Sequence, residues 1–178
     1  TVGFNAGAGI VDDTNNVYVG WKSGESSVAS NVVGIGYQTL KGSVTTDADG
    51  TVAIGYYAGQ GITASTHAEE NTLIGNAAGL SLTVGDGNVA VGGLALDAET
   101  QGHKSTAIGY SALSGQVNGS DIDARNTAVG FYAGLALTTG VNNVIVGANA
   151  FPTADGGESN NVVIGTYAMM SCDEGGSD

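Results

Sequence analysis

Residues 126–133 read NTAVGFYA, and the pattern of this segment recurs along the whole chain. The pattern is Asn, Thr or Ser, two variable residues, Val or Ile, Gly, two variable residues, and Ala. Clear copies are TVAIGYYA at 51–58, NVAVGGLA at 88–95 and STAIGYSA at 105–112. Ten copies, 16 to 21 residues apart, indicate a repeat architecture. Their anchoring glycines are Gly3, Gly20, Gly36, Gly55, Gly75, Gly92, Gly109, Gly130, Gly147 and Gly165.

Each copy has the residue pattern of a short strand followed by a bend. Val52 and Ile54 alternate and therefore share one face of a strand, while Ala53 between them is also apolar. A strand that is apolar on both faces is typical of a buried parallel sheet. Gly55 follows, and glycine takes the positive φ angles that a tight corner requires.

This period predicts an all-β chain that forms a parallel β-solenoid, or β-roll, of about ten coils. Residues 1–169 form the repeat domain, and residues 170–178 form a polar, acidic tail. Ten stacked coils would span about 45 to 50 Å. The 31 glycines do not recur at every third position and there is only one proline, which excludes collagen.

Six copies begin with asparagine, and stacking places these residues in register. Their amides could then bond from coil to coil as a ladder. The alternative is that each asparagine only initiates a turn. The six residues are Asn16, Asn71, Asn88, Asn126, Asn143 and Asn161.

The charge excludes several classes of partner. The chain has 17 acidic and four basic residues, a formal charge of −13, so it cannot offer a basic face to nucleic acid or to an anionic membrane. No apolar run is long enough to span a bilayer. The single cysteine, Cys172, cannot form an intrachain disulfide. Because residue 1 falls inside the first copy, we expect a segment of a longer chain.

The two-faced strand predicts self-association. A narrow coil can bury only one strand face inside itself, so the small residues Ala53, Ala90, Ala107 and Ala128 are expected to need a second surface. Identical chains around a shared axis would provide it. We therefore expect a homo-oligomer, with a parallel homotrimer as the preferred form.

The copies NTAVGFYAG from Asn126, STAIGYSAL from Ser105 and TVAIGYYAG from Thr51 carry a family resemblance. They resemble the NTAxGxxAL-type repeats of phage tail-fibre and bacterial surface proteins, and they are similar to the head repeats of trimeric autotransporter adhesins. The resemblance implies left-handed parallel β-rolls arranged as trimers. It also implies a structural and adhesive role.

Catalytic signals are weak. His67 and His103 fall in variable loops without a neighbouring nucleophile and acid in a recognisable motif, so both are expected to be solvated. Glycine-rich stretches such as GNAAG lack the lysine of a phosphate-binding loop. We therefore predict no enzymatic activity.

Acidic loops suggest a possible cation site. Asp47 and Asp49, and likewise Asp121 and Asp123, are two residues apart, a spacing with which short loops offer oxygens to Ca²⁺. Neither pair belongs to a complete twelve-residue calcium loop. The alternative is that aspartate favours turns and keeps the rod soluble. Calcium is the one cofactor that the sequence suggests.

Aromatic residues follow several corner glycines, among them Trp21, Tyr37, Tyr56 and Tyr110. An exposed row of such rings could stack on sugars. The alternative is that the rings pack as caps over the bends.

Three functions follow in order of preference. The first is a structural and adhesive segment of an extracellular fibre, of a virus tail or a bacterial surface, whose variable loops contact a glycan or protein receptor. The second is a self-assembling extracellular filament subunit, because the ends of a solenoid expose strand edges. The third is an ice- or carbohydrate-binding solenoid, ranked low because Thr-x-Thr arrays are missing.

Overall fold

The computed structural model of the chain describes residues 1–9, 14–42, 48–62, 68–153 and 157–170. These residues contain eleven β-strands and no α-helix. Nine strands of three residues each form one parallel sheet in chain order, and β6 and β8 form a separate pair. The strands are β1 (Val17–Val19), β2 (Val33–Ile35), β3 (Val52–Ile54), β4 (Thr72–Ile74), β5 (Val89–Val91), β6 (Gly102–His103), β7 (Thr106–Ile108), β8 (Ile122–Asp123), β9 (Thr127–Val129), β10 (Val144–Val146) and β11 (Val162–Ile164).

Equivalent residues of successive copies pair directly. Ala53 lies beside Leu73, and Ile54 lies beside Ile74. The chain is therefore a parallel β-solenoid, which confirms the predicted fold class. The sheet has nine strands, and the first of the ten copies is joined to it by a single bridge between Val2 and Val19. Eight steps between nine strands make the sheet about 38 Å long.

The middle residue of each main-sheet strand points into the coil. Ala53, Ala90, Ala107 and Ala128 are fully buried. The expectation that these alanines form an outward face is wrong. The flanking Val, Ile and Thr side chains point outward instead, because successive side chains alternate between the two faces of a strand.

Large side chains inside the solenoid lie next to glycines of neighbouring coils. A Cβ atom added at Gly34 would lie 2.8 Å from Cδ1 of Tyr18, which is fully buried. At Gly134 an added Cβ atom would lie 2.9 Å from Cδ1 of Ile145 and 2.9 Å from Cδ2 of Leu113. The interior is thus filled by pairing large residues with small ones along the stack.

The asparagines lie in register, as the ladder interpretation predicts. The backbone N–H of Asn88 donates to Oδ1 of Asn71 at 2.9 Å. The backbone N–H of Asn143 donates to Oδ1 of Asn126 at 2.9 Å, and Asn161 repeats this contact with Asn143 at 3.0 Å. The side chains therefore extend the hydrogen bonding of the sheet by one residue.

Nine of the ten corner glycines are required by close approach of backbones, and Gly165 is the exception. All ten have φ between 123° and 142°. A Cβ atom at Gly55 would lie only 2.2 Å from the carbonyl oxygen of Gly75 in the next coil. Any other residue would push these two coils apart.

Candidate functional site

The outward face of the nine-stranded sheet is apolar and partly exposed. It consists of two rows of side chains, the first and the third residue of each strand, and we call it the outward sheet face. Val17 is 48% exposed, Val144 39% and Ile108 39%. The first row is Val17, Val33, Val52, Thr72, Val89, Thr106, Thr127, Val144 and Val162, and the second is Val19, Ile35, Ile54, Ile74, Val91, Ile108, Val129, Val146 and Ile164.

This face has the size of an interaction surface. A strip about 38 Å long and about 10 Å wide has about 400 Å² of flat area, and contiguous apolar patches of this size on soluble proteins are often functional. Its threonines are Thr72, Thr106 and Thr127, all in the first row, so no Thr-x-Thr array lies on it.

A corner lined with aromatic rings borders the outward sheet face. The rings directly after the corner glycines stack on one another between coils. Trp21 and Tyr37 have ring centroids 4.8 Å apart with an angle of 9° between the planes, and Tyr37 and Tyr56 are 5.1 Å apart at 15°. A second, shorter stack joins Tyr110 to Phe131 at 5.8 Å and 18°.

The stacking decides which ring surfaces are accessible. Trp21 lies between Phe4 and Tyr37, and Tyr37 lies between Trp21 and Tyr56, so both faces of these two rings are covered by other rings. A sugar stacks on the face of an aromatic ring. Of the four rings predicted as sugar contacts, Tyr56 and Tyr110 alone lack a ring on one side.

His103 is buried, which corrects the expectation that it is solvated. Only 5% of the residue is exposed. Its Nδ1 atom contacts Oδ1 of Asp86, its Nε2 atom contacts Oδ1 of Asp121, and the backbone N–H of Asp86 points at Nδ1 from 3.0 Å. Asp86 and Asp121 lie 17 residues before and 18 residues after it, one coil away in each direction. The stacking therefore aligns three polar side chains that are far apart in sequence.

A cavity of about 270 Å³ lies at this cluster, lined by Asp86, His103, Lys104, Asp121 and Asp123. None of these five lining residues is a serine, threonine or cysteine that could act as a nucleophile. The arrangement places the imidazole of His103 between carboxyl groups of the preceding and the following coil. His67, the other histidine of the sequence, lies outside the described residues.

The structure places the predicted calcium ligands in different surroundings. Asp123 receives a hydrogen bond from Nζ of Lys104 at 2.7 Å and contacts Arg125, and these bonds lower the pKa of Asp123, with Lys104 the main cause. Oδ1 of Asp49 accepts the backbone N–H of Ser30 at 2.7 Å. Asp47 and Cys172 lie outside the described residues. Within the described ranges, no group of three His, Cys, Asp or Glu side chains is arranged to hold a metal ion, and calcium binding stays a prediction.

The interior contains a charged residue that the sequence did not reveal. Glu99 is fully buried at the position seven residues after a corner glycine, where other coils carry Ile62, Leu82 and Leu137. Its Oε1 atom accepts backbone N–H groups of residues 100, 101, 102 and 118 at 2.7 to 3.1 Å. The side-chain amides of Gln116 and Asn118 donate to Oε2 at 2.7 and 2.8 Å. Six donors therefore replace the water that the carboxylate loses.

Comparison with protein-family models found no matching family, and searches of curated proteins and of solved structures found no match either. In the described part of the chain, no helix has the length and apolar character needed to cross a bilayer.

Proposed function

We propose that the chain is a structural and adhesive segment of an extracellular fibre, in which three parallel copies pack through the outward sheet face. The variable loops between coils would remain available for contact with a glycan or protein receptor. The observation that carries this proposal is the outward sheet face itself, two continuous rows of β-branched side chains along nine strands.

The chemistry of the face supports a homotypic contact. Every strand of the nine-stranded sheet offers Val, Ile or Thr at its first and third positions, so two copies of the face present matching shapes and no charge. Burying a fully exposed Val or Ile stabilises a complex by about 1.5 to 3 kcal/mol. Repetition along nine strands would add these contributions in register and would favour a parallel arrangement of copies.

Sedimentation equilibrium of the purified chain tests the proposal. We expect an oligomer at micromolar concentration, and the variant Ile108→Lys should raise the dissociation constant at least tenfold, because it places a charge in the face. The matched control is Val117→Lys, since Val117 is similarly exposed but lies outside the main sheet. A wild-type chain that is folded and monomeric at micromolar concentration would refute the proposal.

An end-to-end filament is the alternative. Within the described residues, strand β11 pairs with β10 on one side only, and its Val162 and Ile164 are the most exposed side chains of the sheet face, at 70% and 67%. Electron microscopy separates the two functions. Short discrete rods favour the fibre segment, and long polymers of increasing length favour the filament.

A further inference from the structure

The aromatic corner is interrupted at two successive coils. The residues that follow the corner glycines there are Asn76 and Gly93, with Tyr56 on the coil before them and Tyr110 on the coil after them. We call these four residues the aromatic notch. Three coil steps separate the two tyrosines, which corresponds to about 14 Å along the stack.

Tyr56 presents one open ring face to the notch. Its other face stacks on Tyr37, and it is 46% exposed against 36% for Tyr37. A hydrogen bond with the Tyr57 hydroxyl raises the pKa of Tyr56, and the two ring centroids are 4.1 Å apart. Tyr57 therefore holds the Tyr56 ring in position before any ligand arrives.

Tyr110 borders the notch from the opposite side. It stacks on Phe131 on one side and is 46% exposed. A Cβ atom added at Gly93 would lie 3.3 Å from Cδ2 of Tyr110, so the missing side chain lets this ring lean towards the notch. Two tyrosine rings thus border a gap whose floor consists of a glycine and an exposed asparagine.

We propose that the aromatic notch binds a neutral pyranose sugar. The C–H groups on one face of a pyranose form an apolar surface that packs on a tyrosine ring, while the hydroxyl groups bond to the Asn76 amide, which offers both a donor and an acceptor. Stacked rings along the aromatic corner lie 4.8 to 6.1 Å apart, whereas the two tyrosine positions are about 14 Å apart along the stack, so one sugar ring fits between them even though Tyr110 leans over Gly93. Sugar binding is a further function, separate from the packing role of the outward sheet face.

The charge of the chain selects a neutral ligand. None of the four notch residues is a cation, and the chain has a formal charge of −13. A sugar acid would be repelled by the chain and would meet no arginine or lysine in the notch. A hexose without a charged group carries no such cost.

Filling the notch is the test. Asn76→Tyr would add a ring between Tyr56 and Tyr110. The new ring closes the site and continues the stacking of rings along the aromatic corner. Ala148→Tyr is the matched control, because Ala148 occupies the same corner position next to Phe131, outside the notch. Saturation-transfer NMR and calorimetry with a panel of neutral hexoses and their disaccharides should detect binding to the wild-type chain. Asn76→Tyr should weaken this binding at least tenfold, and Ala148→Tyr should leave it unchanged.

Ring truncation gives a second, independent readout. Tyr56→Ala and Tyr110→Ala should each weaken binding, whereas Trp21→Ala should not, because both faces of Trp21 are covered. Circular dichroism confirms that each variant is folded. The proposal is overturned if no neutral sugar binds, if Asn76→Tyr binds as well as wild type, or if the chain takes up phenol or indole and no sugar. Sedimentation of the same samples reports on self-association separately, so failure of one proposal is distinguishable from failure of the other.

Discussion

Glu99 shows how a charged residue can occupy a solenoid interior. Its carboxylate occupies the position that Leu82 fills in the preceding coil and accepts six hydrogen bonds, four of them from backbone N–H groups. Those N–H groups belong to the turn that leads into β6 and to the next coil. The residue therefore fixes a turn as well as filling space.

We expect Glu99→Gln to destabilise the chain by about 1 to 3 kcal/mol, because the new amide group must face donors where an oxygen now accepts them. Urea unfolding followed by circular dichroism measures the loss. Glu69→Gln is the control, since Glu69 is exposed. Equal stability of the two variants would show that the hydrogen bonds of Glu99 do not stabilise the fold.

Asp97 gives a prediction for pH dependence. Burial raises the pKa of its carboxyl, despite opposing hydrogen bonds from the backbone of Asp97 and Ala98, and its Oδ1 atom has no hydrogen-bond partner in the described part of the chain. A carboxyl whose pKa is higher in the folded than in the unfolded chain destabilises the fold above that pKa, and the cost disappears as the pH falls through it.

Asp97→Asn is therefore expected to be more stable than wild type at pH 7, by up to about 1 kcal/mol. The two chains should converge as the pH falls below the ordinary range of an aspartate, because the wild-type carboxyl is then neutral as well. Thermal unfolding at several pH values measures both curves. A stability difference that does not change with pH would contradict the assigned cause.

At the scale of the coil, the corner glycine controls how closely neighbouring coils approach. A Cβ atom at Gly55 would lie 2.2 Å from a carbonyl oxygen of the next coil, and its φ is 141°. Gly165 is a corner glycine with a similar φ, of 127°, but an added Cβ atom there meets only Cβ of Ala168, at 3.7 Å. Alanine substitutions at the two positions therefore distinguish the cost of a steric clash from the cost of backbone strain.

Gly165→Ala should cost about 1 to 3 kcal/mol, the usual penalty for a sparsely populated backbone conformation. Gly55→Ala should cost at least about 2 kcal/mol more, since two coils must also separate. Chemical denaturation of both variants gives the comparison. If both substitutions cost the same, backbone angle alone explains the glycine and coil spacing does not.

At the scale of the whole molecule, apolar attraction between copies opposes electrostatic repulsion. Each chain carries a formal charge of −13, so three copies repel one another while the outward sheet face holds them together. Salt screens the repulsion, and it does not weaken apolar contacts.

Self-association should therefore strengthen as salt is raised from about 20 mM to about 500 mM, over which the screening length falls several-fold. Sedimentation velocity at both concentrations measures the shift. Weaker association in high salt would indicate that the copies are held by ion pairs, and would argue against the outward sheet face as the contact.

The coil, its period and its register follow from the local pattern of residues. Asparagine, three strand residues and a corner glycine recur in order, so stacking places equivalent residues of successive copies beside one another. The tertiary structure alone decided which strand face points inward, because Ala53 and its neighbours Val52 and Ile54 are all apolar and alternation cannot distinguish them. It also placed Glu99 inside and brought His103 between Asp86 and Asp121. Which side chains are buried, and which contact another coil, depends on how each coil folds back on itself. A pattern of neighbouring residues in the sequence carries no information about that folding.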